Sequence, residues 1–323
     1  MKSKISKKPA EFDALHQSRL AGTKNLDLKK WGVSFSVKQC RNLGVDPEKC
    51  LDWLLKQGFR RFRLMSYWNE CEKSPKNYDF KELDRQIKQI QKYGGKITLC
   101  LGARQPRWPE SHWPDWAWIM KKPRRDKALM EFIKTTVNRY KNVDYIVSYQ
   151  LENEALLVNF GERTEIDRAR LRAEYNLVKR LDPKTPIIMT TSTAFGIPMR
   201  RPRPHIVGFS FYSKFFDEKL NQYTDGKQTP FSVRLRKWLI KLLWRRPSFI
   251  HELQLEPWGP KAIWEIDIAE QDKSMGPDQI AKNIALAKKT KLTQIDLWGG
   301  EWWYWRTVIK KDTKIWQAIK NNL

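Results

Sequence analysis

The chain has 323 residues, of which 41% are hydrophobic and 30% charged. That apolar content is enough for a sizeable core, so the composition excludes an intrinsically disordered protein. No run approaches the roughly 18 apolar residues of a membrane-spanning helix. The 62 Lys and Arg against 36 Asp and Glu give a net charge of +26, which attracts nucleic acid, an anionic membrane surface or an acidic substrate. A surface that is simply rich in Lys and Arg explains the charge equally well.

The first 30 residues are Lys-rich and aperiodic, and we interpret them as a basic tail or a short N-terminal cap. They lack the apolar segment of a secretory signal, which predicts a cytoplasmic location. The four cysteines show no C-x-x-C pair and no His at zinc spacing, so we expect buried thiols and no metal site. They are Cys40, Cys50, Cys71 and Cys100.

From Trp31 onward, short β-like runs alternate with longer amphipathic stretches, which is typical of βα units and a parallel sheet. The predicted strands are Gly32–Phe35, Arg61–Met65, Ile97–Gly102, Tyr145–Leu151, Ile187–Thr191, Val207–Tyr212, Phe249–Leu253 and Gln294–Trp298. The predicted helices include Pro47–Gln57, Phe80–Tyr93, Lys127–Tyr140, Glu165–Leu181 and Pro277–Thr290. This order predicts an α/β protein with one domain, a (β/α)8 TIM barrel over residues 31–323. An open doubly wound sheet is the alternative.

The alternation of side chains within the strands favours the barrel. Successive residues of a strand face opposite sides, and the predicted strands divide into an apolar side and a small, polar or charged side. In the fourth strand the polar side carries Ser148, Gln150, Glu152 and Glu154. Strands of a doubly wound sheet are apolar on both faces, whereas a polar side suits a barrel lumen. Charges at the carboxyl ends of the strands then converge on the mouth where barrel active sites are built.

Two carboxylates end the fourth and seventh predicted strands, namely Glu154 and Glu252. On a barrel they face each other across the mouth. Burial raises the pKa of one carboxyl, while a cation such as Arg63 holds the other ionised. Such a pair serves as proton donor and nucleophile in glycoside hydrolysis.

On these residues the chain resembles the clan A glycoside hydrolases, the retaining (β/α)8 glycosidases. Asn153–Glu154 matches the clan's fourth-strand Asn–Glu signature, in which the Glu is the acid/base and the Asn contacts the sugar 2-hydroxyl. Glu252 is similar in place and spacing to the seventh-strand nucleophile. Three further residues resemble clan residues near the nucleophile or the cleaved sugar: Arg63 on strand two, Tyr212 on strand six and Trp298 on strand eight.

The resemblance covers roughly residues 31–323 and implies a carbohydrate substrate, with neither a metal nor an organic cofactor. Nothing in the sequence indicates specific nucleic-acid recognition or an oligomeric state. The motifs depart from common members, with Asn–Glu–Ala instead of Asn–Glu–Pro on strand four. Strand six has Ser210 where some members have His or Asn, two residues before the Tyr, and strand seven reads His–Glu–Leu–Gln.

Each carboxylate has a neighbour that competes with it. Glu152 shares the parity of Glu154, so it is either the acid instead or a lumen residue paired with Arg61. Glu256 follows Glu252 by four residues but precedes Pro257, which predicts a loop position. We therefore favour Glu154 and Glu252.

Polar and aromatic residues after the strand ends are candidates for substrate binding. Arg104 and Trp108 follow the third strand, and Trp258 follows the seventh. Indole faces stack on the C–H faces of sugar rings, while packing within loops is the alternative for each tryptophan.

The segment 231–246 is basic and amphipathic. At helical spacing it has an apolar stripe formed by Phe231, Leu235, Trp238, Leu239 and Leu242. This fits a helix on an anionic membrane, but the barrel needs a helix between strands six and seven. We therefore expect the stripe to pack against the sheet.

The sequence predicts a retaining glycosidase that cleaves β-glycosidic bonds with two Glu residues. The alternative function is a non-catalytic barrel that binds a glycan or polyanion, associated with an anionic membrane through the basic helix.

Overall fold

The structure is a computed structural model that describes residues 31–157, 160–192 and 202–323. The predicted N-terminal tail or cap, residues 1–30, lies outside the described residues. No helix in these three ranges is both long and apolar enough to cross a membrane.

Eight parallel strands close into a barrel, which confirms the TIM-barrel prediction and excludes the doubly wound sheet. They run in chain order around the barrel, and each predicted strand is correct to within one residue at either end. The barrel strands are β1 (Trp31–Phe35), β2 (Arg61–Met65), β3 (Lys96–Leu101), β4 (Ile146–Leu151), β5 (Ile187–Thr191), β6 (Ile206–Phe211), β9 (Ser248–Gln254) and β10 (Ile295–Trp298). A hairpin that was not predicted, β7 (Lys214–Asp217) with β8 (Gln222–Asp225), is inserted after the sixth barrel strand.

The helices surround the barrel. They are α1 (Val37–Asn42), α2 (Pro47–Lys56), α3 (Trp68–Cys71), α4 (Lys81–Lys92), α5 (Asp115–Trp118), α6 (Lys122–Tyr140), α7 (Arg168–Leu181), α8 (Pro230–Trp244), α9 (Ile268–Met275), α10 (Pro277–Lys289), α11 (Gly300–Tyr304) and α12 (Lys314–Asn322). Helix α6 begins five residues before its predicted start because its first turn packs through Arg125, whose guanidinium lies 4.3 Å from the Trp118 ring. Helix α7 begins three residues late because the Asp167 side chain caps it, accepting from the Arg170 amide.

Three residues of the α8 stripe, Phe231, Trp238 and Leu242, face solvent and the other two are half-buried, so the prediction that the stripe packs against the sheet is wrong. The helix buries Val233, Arg236 and Ile240 instead. A guanidinium on the inner face is tolerated because Arg236 Nη2 donates to Thr191 Oγ1 at the end of β5, at 2.7 Å. Phe231 and Trp238 are exposed.

The lumen is polar, as the alternation predicted. Arg63 Nε donates to Ser34 Oγ at 2.9 Å, and the Thr98 and Ser148 hydroxyls lie 2.8 Å apart. The opposite faces of the strands form the apolar layer under the helices, with fully buried residues such as Phe35, Leu99, Tyr149 and Leu253.

The parity fails just beyond β4, and the lumen position predicted for Glu152 is wrong. Glu152 and Glu154 both have φ of 45°, a left-handed conformation that turns the chain out of the strand alternation. The Glu152 carboxylate accepts from the backbone amides of Ala103 at 3.0 Å and Arg104 at 2.6 Å. Its suggested partner Arg61 pairs with Asp296 instead, at 2.7 Å.

Candidate active site

Glu154 follows β4 and is held from two neighbouring strands. Its backbone amide donates to Thr190 Oγ1 of β5 at 2.8 Å, and its carboxylate accepts a hydrogen bond from the Ser210 hydroxyl of β6. The carboxyl is almost completely buried. It therefore lies inside the mouth of the barrel, in a fixed orientation.

Glu252 lies on β9 with both carboxylate oxygens bonded. Arg63 Nη2 of β2 donates to Oε1 at 2.7 Å, and the Tyr212 hydroxyl after β6 donates to Oε2 at 3.0 Å. These are the two strand-two and strand-six residues that the clan A resemblance placed beside the nucleophile.

A β-bulge in β9 brings His251 to the same place. Strand β6 pairs Phe209 with Ile250 and then Ser210 with Glu252, so His251 has no partner residue on β6. A bulge releases a strand from strict alternation. Two consecutive side chains of β9, those of His251 and Glu252, thereby both reach the lumen.

The His251 ring links the two carboxylates through a chain of hydrogen bonds. Arg63 Nη1 lies 2.7 Å from His251 Nδ1, and because a guanidinium only donates, Nδ1 accepts. The other ring nitrogen, Nε2, then carries the proton and donates to Ser210 Oγ at 3.0 Å. Ser210 in turn donates to Glu154. Burial lowers the pKa of His251 to about 3, so the ring is neutral and its tautomer is fixed by Arg63.

The two carboxyls have opposite protonation states at neutral pH. Burial, with the nearby negative charge of Glu252, raises the pKa of Glu154 to about 8. Burial acts to raise the pKa of Glu252 as well, but the Arg63 charge and hydrogen bond bring it below its usual value. A carboxylate oxygen of Glu154 lies within 4.8 Å of one of Glu252. One carboxyl is therefore protonated and the other ionised, side by side.

A third acid, Glu110, lies beside the pair and was not found in the sequence. Its Oε2 accepts from Asn153 Nδ2 at 3.1 Å, while Asn153 Oδ1 accepts from Gln150 Nε2 at 3.0 Å. Burial, together with the charge of Glu252, raises the pKa of Glu110 to about 7. In the sequence Glu110 is marked only by its place in the loop after β3. The alternation of side chains in a strand does not extend into a loop, so it could not predict where this carboxyl lies.

Two guanidinium groups lie near the Trp298 ring at the end of β10. The Arg63 guanidinium lies 5.4 Å from the ring centroid and that of Arg107 lies 4.0 Å away. Arg107 also pairs with Glu256 and, at 2.7 Å, with Glu301. Glu256, the alternative to Glu252, therefore belongs to a separate buried ion cluster. The roles of Arg107 and Glu301 were not predicted.

The remaining predicted binding residues have two different positions. Arg104 holds a loop, while Trp108 and Trp258 belong to a row of aromatic rings. Arg104 donates to the carbonyls of Leu157 and Phe160 at 3.0 and 3.1 Å, which fixes the loop after β4. The row comprises Trp108, Phe160, Trp258 and Tyr212, with ring centroids 6.3, 5.8 and 5.5 Å apart in that order. It runs from the exposed Trp108 to the tyrosine that contacts Glu252.

Among the described residues, Glu154, His251 and Glu252 also have ligand atoms close enough to share a metal ion. The Arg63 guanidinium donates to two of these three groups. A fixed positive charge in contact with the ligands repels a divalent cation, so this arrangement suits a carboxylate pair better than a metal centre.

The fold is shared with solved structures of other proteins, although the sequence has no match among family models or curated proteins. Among solved structures, xylanase 10C of Cellvibrio japonicus, in complex with xylopentaose, matches with a TM-score of 0.61 and 13% identity over 88% of this chain and 62% of that chain. The GH5_18 protein of Streptomyces cattleya, in complex with GlcNAc, matches with a TM-score of 0.59 and 12% identity over 83% and 70%. The barrel therefore has the same overall fold as these structures.

A third match shows how far the likeness extends. The β-galactosidase of the haloarchaeon Halorubrum lacusprofundi has a TM-score of 0.55 and 12% identity over 83% of this chain. The chain spans about half, 52%, of the length of that enzyme. The clan A resemblance is therefore confirmed for the fold.

Proposed function

We propose that the protein is a retaining glycosidase that hydrolyses β-glycosidic bonds through Glu154 and Glu252. The separation of the two carboxylates carries the proposal. Retaining enzymes hold their carboxyl groups about 5–5.5 Å apart, whereas inverting enzymes need roughly 6.5–9.5 Å for a water between them. An oxygen of Glu154 lies within 4.8 Å of an oxygen of Glu252, which is nearer to the retaining than to the inverting separation and supports direct attack by one carboxylate.

The opposite protonation states support a separate role for each carboxyl. Glu252, ionised beside Arg63, attacks the anomeric carbon and forms a glycosyl-enzyme, while Glu154 transfers its proton to the leaving oxygen. The resulting Glu154 carboxylate then removes a proton from water, which displaces Glu252 from the sugar. This step frees the sugar and restores both groups.

The surrounding residues suit a sugar. The Asn153 amide has one N–H bonded to Glu110 and a second for the sugar 2-hydroxyl. The Trp298 face lies beside Arg63, where the clan resemblance puts the sugar of the cleaved bond. Trp108 and Trp258 extend an aromatic surface outward from Tyr212 for further units of the chain. Structural neighbours described as a β-galactosidase, an exo-β-1,4-mannosidase and endo-β-1,4-xylanases support a β-linked substrate.

Azide rescue of two variants tests both roles at once. Glu252→Gly should lower turnover of aryl β-glycosides by several orders of magnitude. Azide entering the vacated space should restore turnover and give the α-glycosyl azide, because only one inversion occurs. Glu154→Ala should retain formation of the glycosyl-enzyme from substrates with good leaving groups, and azide should then give the β-glycosyl azide. A panel of aryl β-glucosides, galactosides, mannosides and xylosides supplies the substrate.

Glu256→Gly is the matched control for the nucleophile. We expect no rescue by azide, because Glu256 pairs with Arg107 rather than with Arg63. Rescue of Glu256→Gly but not of Glu252→Gly would refute the assignment. A wild-type protein without turnover on the whole panel, but with salt-dependent glycan or polyanion binding, would favour the non-catalytic barrel instead.

A further inference from the structure

Helix α8 presents large apolar side chains to solvent. Phe231, Trp238 and Leu242 are 66%, 57% and 60% exposed. At 3.6 residues per turn these three side chains lie within ~40° of one another around the helix, so they form one continuous row. A contiguous exposed apolar row on an otherwise charged protein marks an interaction site.

A basic row runs beside the apolar row on the same outward face. Arg234, Lys241 and Arg245 are all exposed and lie within ~60° of Trp238 on its other side. The segment from Pro230 to Arg246 contains no Asp or Glu. The outward face of α8 is therefore half apolar and half cationic.

The surroundings of the helix add further positive charge. The Arg203 guanidinium lies 5.9 Å from the Trp244 ring, and Lys179 lies 3.1 Å from the His205 ring. Together with the net charge of +26, these groups make this side of the barrel complementary to an extended negative surface.

We propose that α8 docks the protein on an anionic phospholipid bilayer. Apolar side chains of an interfacial helix enter the boundary between headgroups and acyl chains, while Lys and Arg bind the anionic headgroups. A nucleic acid would use the basic row but leave the apolar row without a role. A second copy of this chain would bring like charges together. The carboxylate pair lies in the barrel lumen, whereas α8 belongs to the outer ring of helices. Docking through α8 therefore does not involve the proposed catalytic residues.

Flotation with lipid vesicles tests the proposal. The protein should bind phosphatidylglycerol–phosphatidylcholine vesicles at low salt and not pure phosphatidylcholine vesicles. Removing the basic row with Arg234→Gln, Lys241→Gln and Arg245→Asn should weaken binding about a hundredfold, since each cation near an anionic surface contributes roughly fivefold. Asn is chosen at position 245 because it tolerates the positive φ of 54° there. Phe231→Ser, Trp238→Ser and Leu242→Ser together should weaken binding about tenfold or more.

Matched control variants remove three positive charges, or three exposed apolar side chains, from surfaces other than α8. Lys81→Gln, Lys88→Gln and Lys92→Gln take three exposed charges from α4, whose large apolar side chains are buried. A second control replaces three exposed apolar residues from other surfaces, with Ile119→Ser, Leu220→Ser and Ile309→Ser. Neither control should change vesicle binding more than about twofold. Circular dichroism and thermal unfolding report the fold of every variant without reference to hydrolysis.

Four results would each overturn the proposal. They are the absence of binding to the anionic vesicles, equal weakening by the α4 control, unchanged binding after loss of the apolar row, and sedimentation that shows a dimer dissociated by Trp238→Ser. The second and third results would indicate a general attraction to polyanions, and the fourth a second copy of the chain on this face.

Discussion

Replacing Glu154 with Gln is expected to stabilise the protein increasingly as the pH rises. Burial and the Glu252 charge raise the pKa of Glu154 from 4.5 to about 8 in the folded protein. A raised carboxyl pKa contributes stability that is complete below the unfolded pKa and is lost as the pH rises through the folded pKa. At 1.36 kcal/mol per unit, the wild type loses about 3 kcal/mol by pH 7 and about 5 kcal/mol above pH 8. The amide does not titrate and loses none of this.

Urea unfolding between pH 5 and pH 9 measures the difference, followed by circular dichroism at constant ionic strength. The free energy of unfolding of Glu154→Gln minus that of the wild type should rise by several kcal/mol over this range. Glu131→Gln, which removes an exposed carboxyl from α6, controls for the loss of one charge. Two curves that stay parallel within about 1 kcal/mol would refute the assignment of the proton to Glu154.

Three further outcomes follow from the same geometry. Ser210→Ala removes the hydrogen bond that favours the ionised form of Glu154, so its pKa should rise and the alkaline limb of kcat/KM should move to higher pH. Glu110→Gln removes a neighbouring negative charge that raises the same pKa, so the limb should move to lower pH; shifts in the same direction would contradict the model of two opposing groups. Gly102→Ala should destabilise the fold by about 2–4 kcal/mol in urea unfolding. Gly102 has φ of 102°, and an added Cβ would lie 2.5 Å from Oε1 of the Glu152 carboxylate. Gly44→Ala, with φ of 66° and open space around it, should cost only about 1–2 kcal/mol, and an equal loss for both would show that the carboxylate moves aside.

The barrel was predictable because its signal repeats. Each strand carries its own alternation, and eight strands in the same pattern agree on one architecture. The two carboxylates followed from the rule that side chains at the carboxyl ends of parallel strands converge. Those predictions depend on strand position alone, which the sequence encodes locally.

The site residues that the sequence did not reveal lie outside regular strands, where the alternation of side chains no longer predicts their direction. Glu110 and Arg107 are in the loop after β3, and their partners Asn153 and Glu301 are 43 and 194 residues away along the chain. Glu152 was misplaced because its backbone is left-handed, which the alternation of a regular strand does not describe. The stripe of α8 was misplaced for another reason. An amphipathic pattern shows that a helix has an apolar face, but only the packed structure shows whether the protein covers it.

The bulge in β9 connects two parts of the candidate site, Arg63 and Ser210. Some clan members have His or Asn two residues before the strand-six tyrosine, and this chain has Ser210 there. His251 from the bulge connects Arg63 to Ser210, with hydrogen bonds of 2.7 and 3.0 Å. Gly208 makes room for this ring, since a Cβ on that residue would lie 3.0 Å from the His251 side chain. The extra residue of the β9 bulge and the short side chain of Ser210 are thus parts of one arrangement, in which Arg63 fixes the tautomer of His251 and His251 orients the serine that bonds Glu154.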